Sequence, residues 1–113
     1  MAQYLVDYTV ETENEITMYR LTIQNTFTND TRHLSGWAPR QSEVEYVECR
    51  ELIADLRCKQ TTTFMVGALV CSFDSRTDRL AIGNLSLDLA ERADCDHVAD
   101  VLGHLVCHLA GAA

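Results

Sequence analysis

The sequence predicts a single α+β domain, residues 1–113, in which a four-stranded antiparallel sheet packs against two amphipathic helices in the order β-β-α-β-β-α. Short runs in which apolar and polar residues alternate predict the strands. Two longer segments carry apolar residues at helical spacing and predict the helices. A chain of 113 residues is also long enough to form one hydrophobic core without disulfides or metals.

Two alternating runs near the N-terminus predict a β-hairpin. Residues 4–11 place Tyr and Val on one side and Asp, Thr and Glu on the other, and residues 19–24 repeat the pattern. Residues 11–14 provide a turn between them. Ile16 and Met18 stand in the opposite phase to the residues that follow, which predicts a bulge or a change of face there.

Residues 28–41 are predicted to form the one long irregular segment, and they contain His33, Trp37 and Pro39. Long loops in small domains often carry function. Because Trp is enriched in binding hot spots, Trp37 is a candidate anchor for a partner. The alternative, which we favour for a single Trp in a small domain, is that Trp37 folds back to cover the core.

A first helix is predicted from Ser42 to Lys59, with Ser42 and Glu45 in the positions of a capping box. An apolar stripe at helical spacing supports it, formed by Tyr46, Cys49, Leu52, Ile53 and Leu56. The opposite side carries an acidic stripe, formed by Glu48, Glu51 and Asp55. Residues 43–47 also alternate as a strand would, but the capping box and the longer period favour a helix.

The second half of the chain predicts two further strands. Residues 64–71 are apolar without alternation, and the strand that contains them, 61–73, is predicted to be central and covered on both faces. Residues 80–89 predict a last strand whose phase changes at Gly83, which is consistent with a bulge. Two helices on one side leave the other side of this sheet bare, which predicts a homodimer or a docked partner.

The final helix is predicted to carry three of the chain's four histidines on one stripe. It begins at Asp94 or Asp96, either of which can cap it. The stripe, whose members fall within about 40° of one another around the helix axis, consists of His97, His104 and His108. Apolar residues lie beside this stripe, so the helix has a core side and a titratable side.

This stripe makes zinc binding an alternative function. His104 and His108 are one turn apart and could bind one ion, and Asp100 could join one histidine pair or the other. His97 lies about 10 Å from His104 along the axis and cannot share that ion. The remaining ligands would come from His33, a cysteine or a second copy, so an ordinary polar helix face is the competing interpretation.

The formal net charge is −8, from 17 acidic and 9 basic residues. This disfavours direct nucleic-acid binding, because phosphate contacts need clustered Lys and Arg. A basic protein surface is a better partner for such a domain. The alternative is that the charge serves solubility alone.

The cysteines predict reduced thiols in a cytoplasmic protein. There are 5 of them, no CxxC occurs, and the sequence shows neither a secretory signal nor an apolar run that could span a membrane. Those predicted to be inert core residues, because they lie near apolar stripes, are Cys49, Cys58 and Cys71. Cys107 and Cys95 are the candidates for a reactive thiol, but His108 points about 100° away from Cys107 and cannot act as its base.

The charge and the lack of catalytic motifs predict a non-enzymatic interaction protein, an inhibitor or adaptor that presents a negative surface to a basic protein partner. The residues predicted to bind this partner are Glu48, Glu51, Asp55 and Trp37. No cofactor is predicted, and the alternative is a zinc-binding or metal-sensing domain built on His97, Asp100, His104 and His108. In size and composition, though in no motif, the chain resembles small accessory proteins of phages and mobile elements, anti-CRISPR and other anti-defence inhibitors among them, which implies an inhibitor role.

Overall fold

A computed structural model describes residues 2–39 and 43–110, in which seven strands and two helices form two antiparallel sheets and a helical pair. The elements are β1 (Tyr4–Glu13), β2 (Ile16–Asn25), β3 (Thr31–Pro39), α1 (Glu43–Arg57), β4 (Thr62–Val66), β5 (Leu69–Asp74), β6 (Arg79–Ile82), β7 (Leu85–Asp88) and α2 (Arg92–Leu109). The first sheet has the order β1-β2-β3 and the second the order β4-β5-β6-β7. The α+β class, the two helices and a four-stranded antiparallel sheet are confirmed. The predicted order β-β-α-β-β-α is only partly right, because it omits strands on both sides of α1.

β1 and β2 form the predicted hairpin. The ten residues of each strand pair without interruption. Asn14 and Glu15 connect them with φ of 52° and 66°, the positive values that a two-residue type I′ turn requires. The predicted bulge or change of face is wrong, because in this continuous register Ile16 and Met18 lie on the opposite face of the sheet from the buried Tyr19. We call the face with Ile16 and Met18 the outer face of the first sheet.

Residues 31–39 of the segment predicted as a long loop instead form the strand β3, which pairs along β2. Its inward positions carry little apolar bulk, because Gly36 faces Tyr19 across the strands and Ala38 fills a buried site. A Cβ atom on Gly36 would overlap the Cζ and Oη atoms of Tyr19, so the glycine makes room for that ring. The sequence of β3 lacks the alternating apolar residues that predict a strand, because its neighbour β2 supplies the side chains that fill the core.

β4 and β5 take the place of the single strand predicted over 61–73. Gly67, with φ of +60°, turns the chain between them, and only alternate residues of the two strands are buried. Met65 and Val70 pair across this hairpin on its exposed side, and they account for the unbroken apolar run. Gly83, with φ of +58°, likewise connects β6 and β7 within the last predicted strand. The expected central strand with two apolar faces is therefore wrong.

The helices pack on each other, and α1 also contacts β4 while α2 contacts β1. α1 starts at Glu43, but Ser42 and the Glu45 side chain of the predicted capping box lie outside the described residues. The N-cap of α2 is Glu91, whose side chain makes no capping hydrogen bond. The prediction of Asp94 or Asp96 as the cap is wrong, because α2 begins before them.

Two tyrosine hydroxyls connect the first sheet to the second. The Tyr19 hydroxyl on β2 donates to the carbonyl of Val66 on β4. The Tyr4 hydroxyl on β1 accepts from the backbone N–H of Asp88 on β7 at 2.9 Å. Both tyrosines belong to the buried cluster that joins the sheets and helices, so these hydrogen bonds hold the sheets together around one core.

Candidate functional site

Trp37 lies on the outer face of the first sheet. Its side chain points outward because it alternates along β3 with the buried Ala38, and it remains 54% exposed. The favoured expectation that Trp37 covers the core is therefore wrong. Its cross-strand neighbour Met18 is 56% exposed, and Ile16, two residues along the same strand, is 42% exposed. These three side chains make an exposed apolar patch.

Acidic side chains border this patch on the β1 side. Glu11 pairs across the strands with Met18, and Glu13 pairs with Ile16. Such pairs place their Cβ atoms about 5 Å apart. Both carboxylates are exposed, and neither forms an ion pair with another described residue. We call the five residues Glu11, Glu13, Ile16, Met18 and Trp37 the Trp37 surface.

The acidic stripe predicted on α1 forms a second negative region. Glu48, Glu51 and Asp55 are exposed there and make no ion pair with a described residue.

The β4–β5 hairpin contacts both α1 and the backbone beneath Trp37. Cys49 of α1 donates to the Met65 carbonyl at 3.4 Å, and a Cβ on Gly67 would lie 2.9 Å from the Trp37 carbonyl. The α1 stripe and the Trp37 surface are thus two separate surfaces, and the β4–β5 hairpin lies next to both.

Two histidines of the stripe on α2 are hydrogen bonded to β1. His97 Nε2 accepts from the Val6 N–H at 3.0 Å, and His108 Nδ1 lies 2.6 Å from the Tyr8 hydroxyl. Earlier in the helix, the buried Asp94 accepts from two backbone N–H groups at the start of β1. Since β1 is an edge strand, Asp94 and His97 satisfy backbone donors that the sheet leaves unpaired, whereas His108 bonds to a side-chain hydroxyl.

The other two members of the predicted zinc set face α1. Asp100 forms an ion pair with Arg57, and His104 lines a groove between the helices. His33 lies elsewhere, exposed and hydrogen bonded to Thr22. Across residues 2–39 and 43–110, no three His, Cys, Asp or Glu side chains come together around a possible ion. Zinc binding stays a hypothesis whose residues, within one chain, belong to two different surfaces.

The groove between α1 and α2 was not identified from the sequence. It has a volume of about 360 Å³, and we call it the interhelical groove. The residues that define it are Tyr46, Arg50 and Arg57 from α1, with Gly103, His104 and Cys107 from α2. The Arg50 guanidinium lies 5.6 Å from the centroid of the Tyr46 ring. Hydrogen bonding to Cys107 raises the pKa of Tyr46 above its ordinary value.

The cysteines differ sharply in burial. Cys49, Cys71 and Cys95 are buried, and burial raises the pKa of the Cys49 thiol to about 11 and that of Cys71 to about 12. Cys58 was predicted to be an inert core residue, but it is exposed just beyond the end of α1. Cys107 is half-buried in the interhelical groove.

Alkylation of the folded, reduced protein with iodoacetamide at mildly alkaline pH should modify Cys58 first and Cys71 last. The raised pKa of Cys71 reduces its thiolate fraction about a thousandfold, and burial also denies the reagent access. Mass spectrometry of peptides over a time course measures each rate. The same experiment in urea is the control, where the rates should converge, and labelling of Cys71 as fast as Cys58 in the folded protein would contradict the structure.

Comparisons with protein-family models, curated proteins and solved structures find no match to this chain. Within the described residues, neither helix is long and apolar enough to cross a membrane.

Proposed function

We propose that this protein is a non-enzymatic interaction module that docks on a basic protein through the Trp37 surface and acts as an inhibitor or adaptor. The observation that carries the proposal is the exposed cross-strand pair of Trp37 and Met18 beside carboxylates that form no ion pair with a described residue. Trp is strongly enriched among residues that dominate binding energy, and both Trp and Met are enriched at interfaces. Covering the exposed part of Trp37 alone would contribute about 2–3 kcal/mol.

The charge of this surface favours a basic partner. Glu11 and Glu13 place two negative charges directly beside the apolar patch, and the chain as a whole carries −8. The acidic stripe on α1, Glu48, Glu51 and Asp55, adds to the long-range field that steers a positive surface toward the molecule. We therefore propose a partner with an apolar pocket for the Trp37 indole and a rim of Lys or Arg. Nucleic acid is disfavoured because its phosphates would be repelled.

A second copy of this chain fits the Trp37 surface less well. Two copies docked through this face would bring Glu11 and Glu13 near their own counterparts, and like charges there are unfavourable. The homodimer expected from the sequence also rested on a strand with two apolar faces, which the β4–β5 hairpin replaces. The oligomeric state is therefore one outcome of the experiment that tests the proposal.

Since Trp37 is the only Trp, its fluorescence reports directly on the proposed interface. Proteins retained from cells of the source organism would be identified and purified, and the emission of Trp37 followed as each is added. We expect a basic protein that shifts the emission to shorter wavelength, and about a 100-fold weaker affinity for Met18→Ala/Trp37→Ala measured by calorimetry. Glu11→Gln/Glu13→Gln should weaken binding and reduce its dependence on salt.

Val70→Ala is the matched control, because Val70 is also an exposed apolar strand residue but belongs to the second sheet. It should bind as the wild type does. Retention of no basic protein, or unchanged affinity in Met18→Ala/Trp37→Ala, would overturn the proposal. A concentration-dependent shift of the emission in the isolated protein would instead identify this face as a homodimer interface.

A further inference from the structure

We propose that the interhelical groove binds a small molecule through a phosphate or carboxylate group. The groove lies between α1 and α2, whereas the Trp37 surface lies on β1, β2 and β3. The inference therefore concerns a second site and does not depend on the proposed function. The volume of the interhelical groove, about 360 Å³, is within the range of small-molecule sites.

The groove gathers two arginines in a strongly acidic chain. Arg50 and Arg57, two turns apart on α1, both line it, and His104 faces them from α2. Arg57 is paired with Asp100, which holds its guanidinium in place. Arg50 has no carboxylate of a described residue within ion-pair distance and instead lies over the Tyr46 ring. With only 9 basic residues against 17 acidic ones, an arginine in a concave site that forms no ion pair with a described residue points to a ligand that brings the negative charge.

The shape of the groove depends on small residues. Gly103 lies within α2, where glycine is less favourable than alanine by about 1 kcal/mol. A Cβ atom there would meet no atom from outside its own helix within 4 Å, so packing against other elements does not require the glycine. Ala54 and Ala99 also line the groove. Small residues on both helices thus leave open a space next to Arg50 that ordinary side chains would fill.

The donors in the groove select the ligand chemistry. A guanidinium presents a planar pair of N–H groups that matches a carboxylate or a phosphate. The Tyr46 ring offers a flat apolar wall, and His104 supplies a further polar group. Because Asp100 cancels one of the two arginine charges, the groove suits a small anion of low charge better than a polyanion.

Calorimetric titration with two probes, inorganic phosphate and succinate, tests the proposal and distinguishes a phosphate ligand from a carboxylate. We expect at least one to bind at millimolar concentration or below in physiological salt. Arg50→Gln should weaken binding about tenfold. Arg20→Gln is the matched control, because Arg20 is exposed on the first sheet away from the groove, and it should leave affinity unchanged.

A second variant separates loss of the site from loss of the fold. Gly103→Leu fills the groove but improves helix propensity, so the protein should stay folded while binding is abolished. Bound probe should also slow alkylation of Cys107 and leave that of Cys58 unchanged. The proposal is overturned if neither probe binds, or if Arg50→Gln and Gly103→Leu bind as tightly as Arg20→Gln. Neither result would alter the fluorescence test of the Trp37 surface.

Discussion

Replacing Gly36 with alanine is expected to lower the free energy of unfolding by about 3 kcal/mol. The new Cβ would overlap Cζ and Oη of Tyr19 and lie 2.9 Å from its Cε1 atom. Tyr19 is only 3% exposed, so its ring has no free space into which to move. Displacing the ring would also break the hydrogen bond from its hydroxyl to the Val66 carbonyl, which connects the two sheets. Urea unfolding followed by circular dichroism measures the change.

Gly103→Ala is the matched control for this substitution. The same change of residue in α2 meets no atom from outside the helix within 4 Å, so we expect it to raise stability by about 1 kcal/mol. Combining Gly36→Ala with Tyr19→Leu gives a second check, because the smaller side chain removes the overlap. The loss caused by Gly36→Ala should then shrink by more than half. Equal effects of alanine at the two glycine positions would contradict the packing of Tyr19 against β3.

The parts of the fold that the sequence predicted are those with a simple period. β1 and the helices keep one face apolar over many residues, so alternation and helical spacing locate them. β3 has no such pattern, because Gly36 and Ala38 face a core filled by Tyr19 of the neighbouring strand. The hairpin at Gly67 was missed because Met65 and Val70 are apolar but exposed. Sequence periodicity assumes that apolar residues are buried, and it misleads where they are exposed.

The candidate surfaces, too, were predictable from the sequence only where spacing along one element decides the position of a residue. The α1 acids were placed correctly on an exposed helix face, since spacing alone decides which residues share a face. Trp37 was named as a candidate anchor, but its exposure depends on the register of an unpredicted strand. The interhelical groove depends on how two helices pack, and Arg50 and Cys107 belong to different predicted elements. The spacing of Tyr46, Arg50 and Arg57 on one side of α1 is the signal that could have suggested it.

Stability is expected to fall steeply as the pH rises above about 9, because buried thiols and a buried phenol ionise on unfolding. Burial raises the pKa of Cys71 from 9.0 to about 12, that of Cys49 from 9.0 to about 11, and that of Tyr19 from 10.0 to about 12. Each folded-state pKa therefore lies above its unfolded value. The unfolded chain releases these protons first, so the stabilisation is complete below the unfolded pKa and is lost as the pH rises toward the folded one.

The wholly buried Cys71 should make the largest total contribution to this alkaline loss, because its unfolded and folded pKa values lie furthest apart. Between pKa values of 9.0 and about 12, it lowers the free energy of unfolding by about 1.4 kcal/mol for each pH unit, and Cys49 and Tyr19 add to that slope. Urea unfolding under reducing conditions, repeated from about pH 8 to about pH 11, gives the slope directly. Cys71→Ala should make the slope shallower by about 1.4 kcal/mol per pH unit, whatever its effect on stability at neutral pH. Cys58→Ala is the control, because an exposed thiol titrates alike in both states, and a slope that depends on Cys58 rather than Cys71 would refute the assignment of the buried thiols.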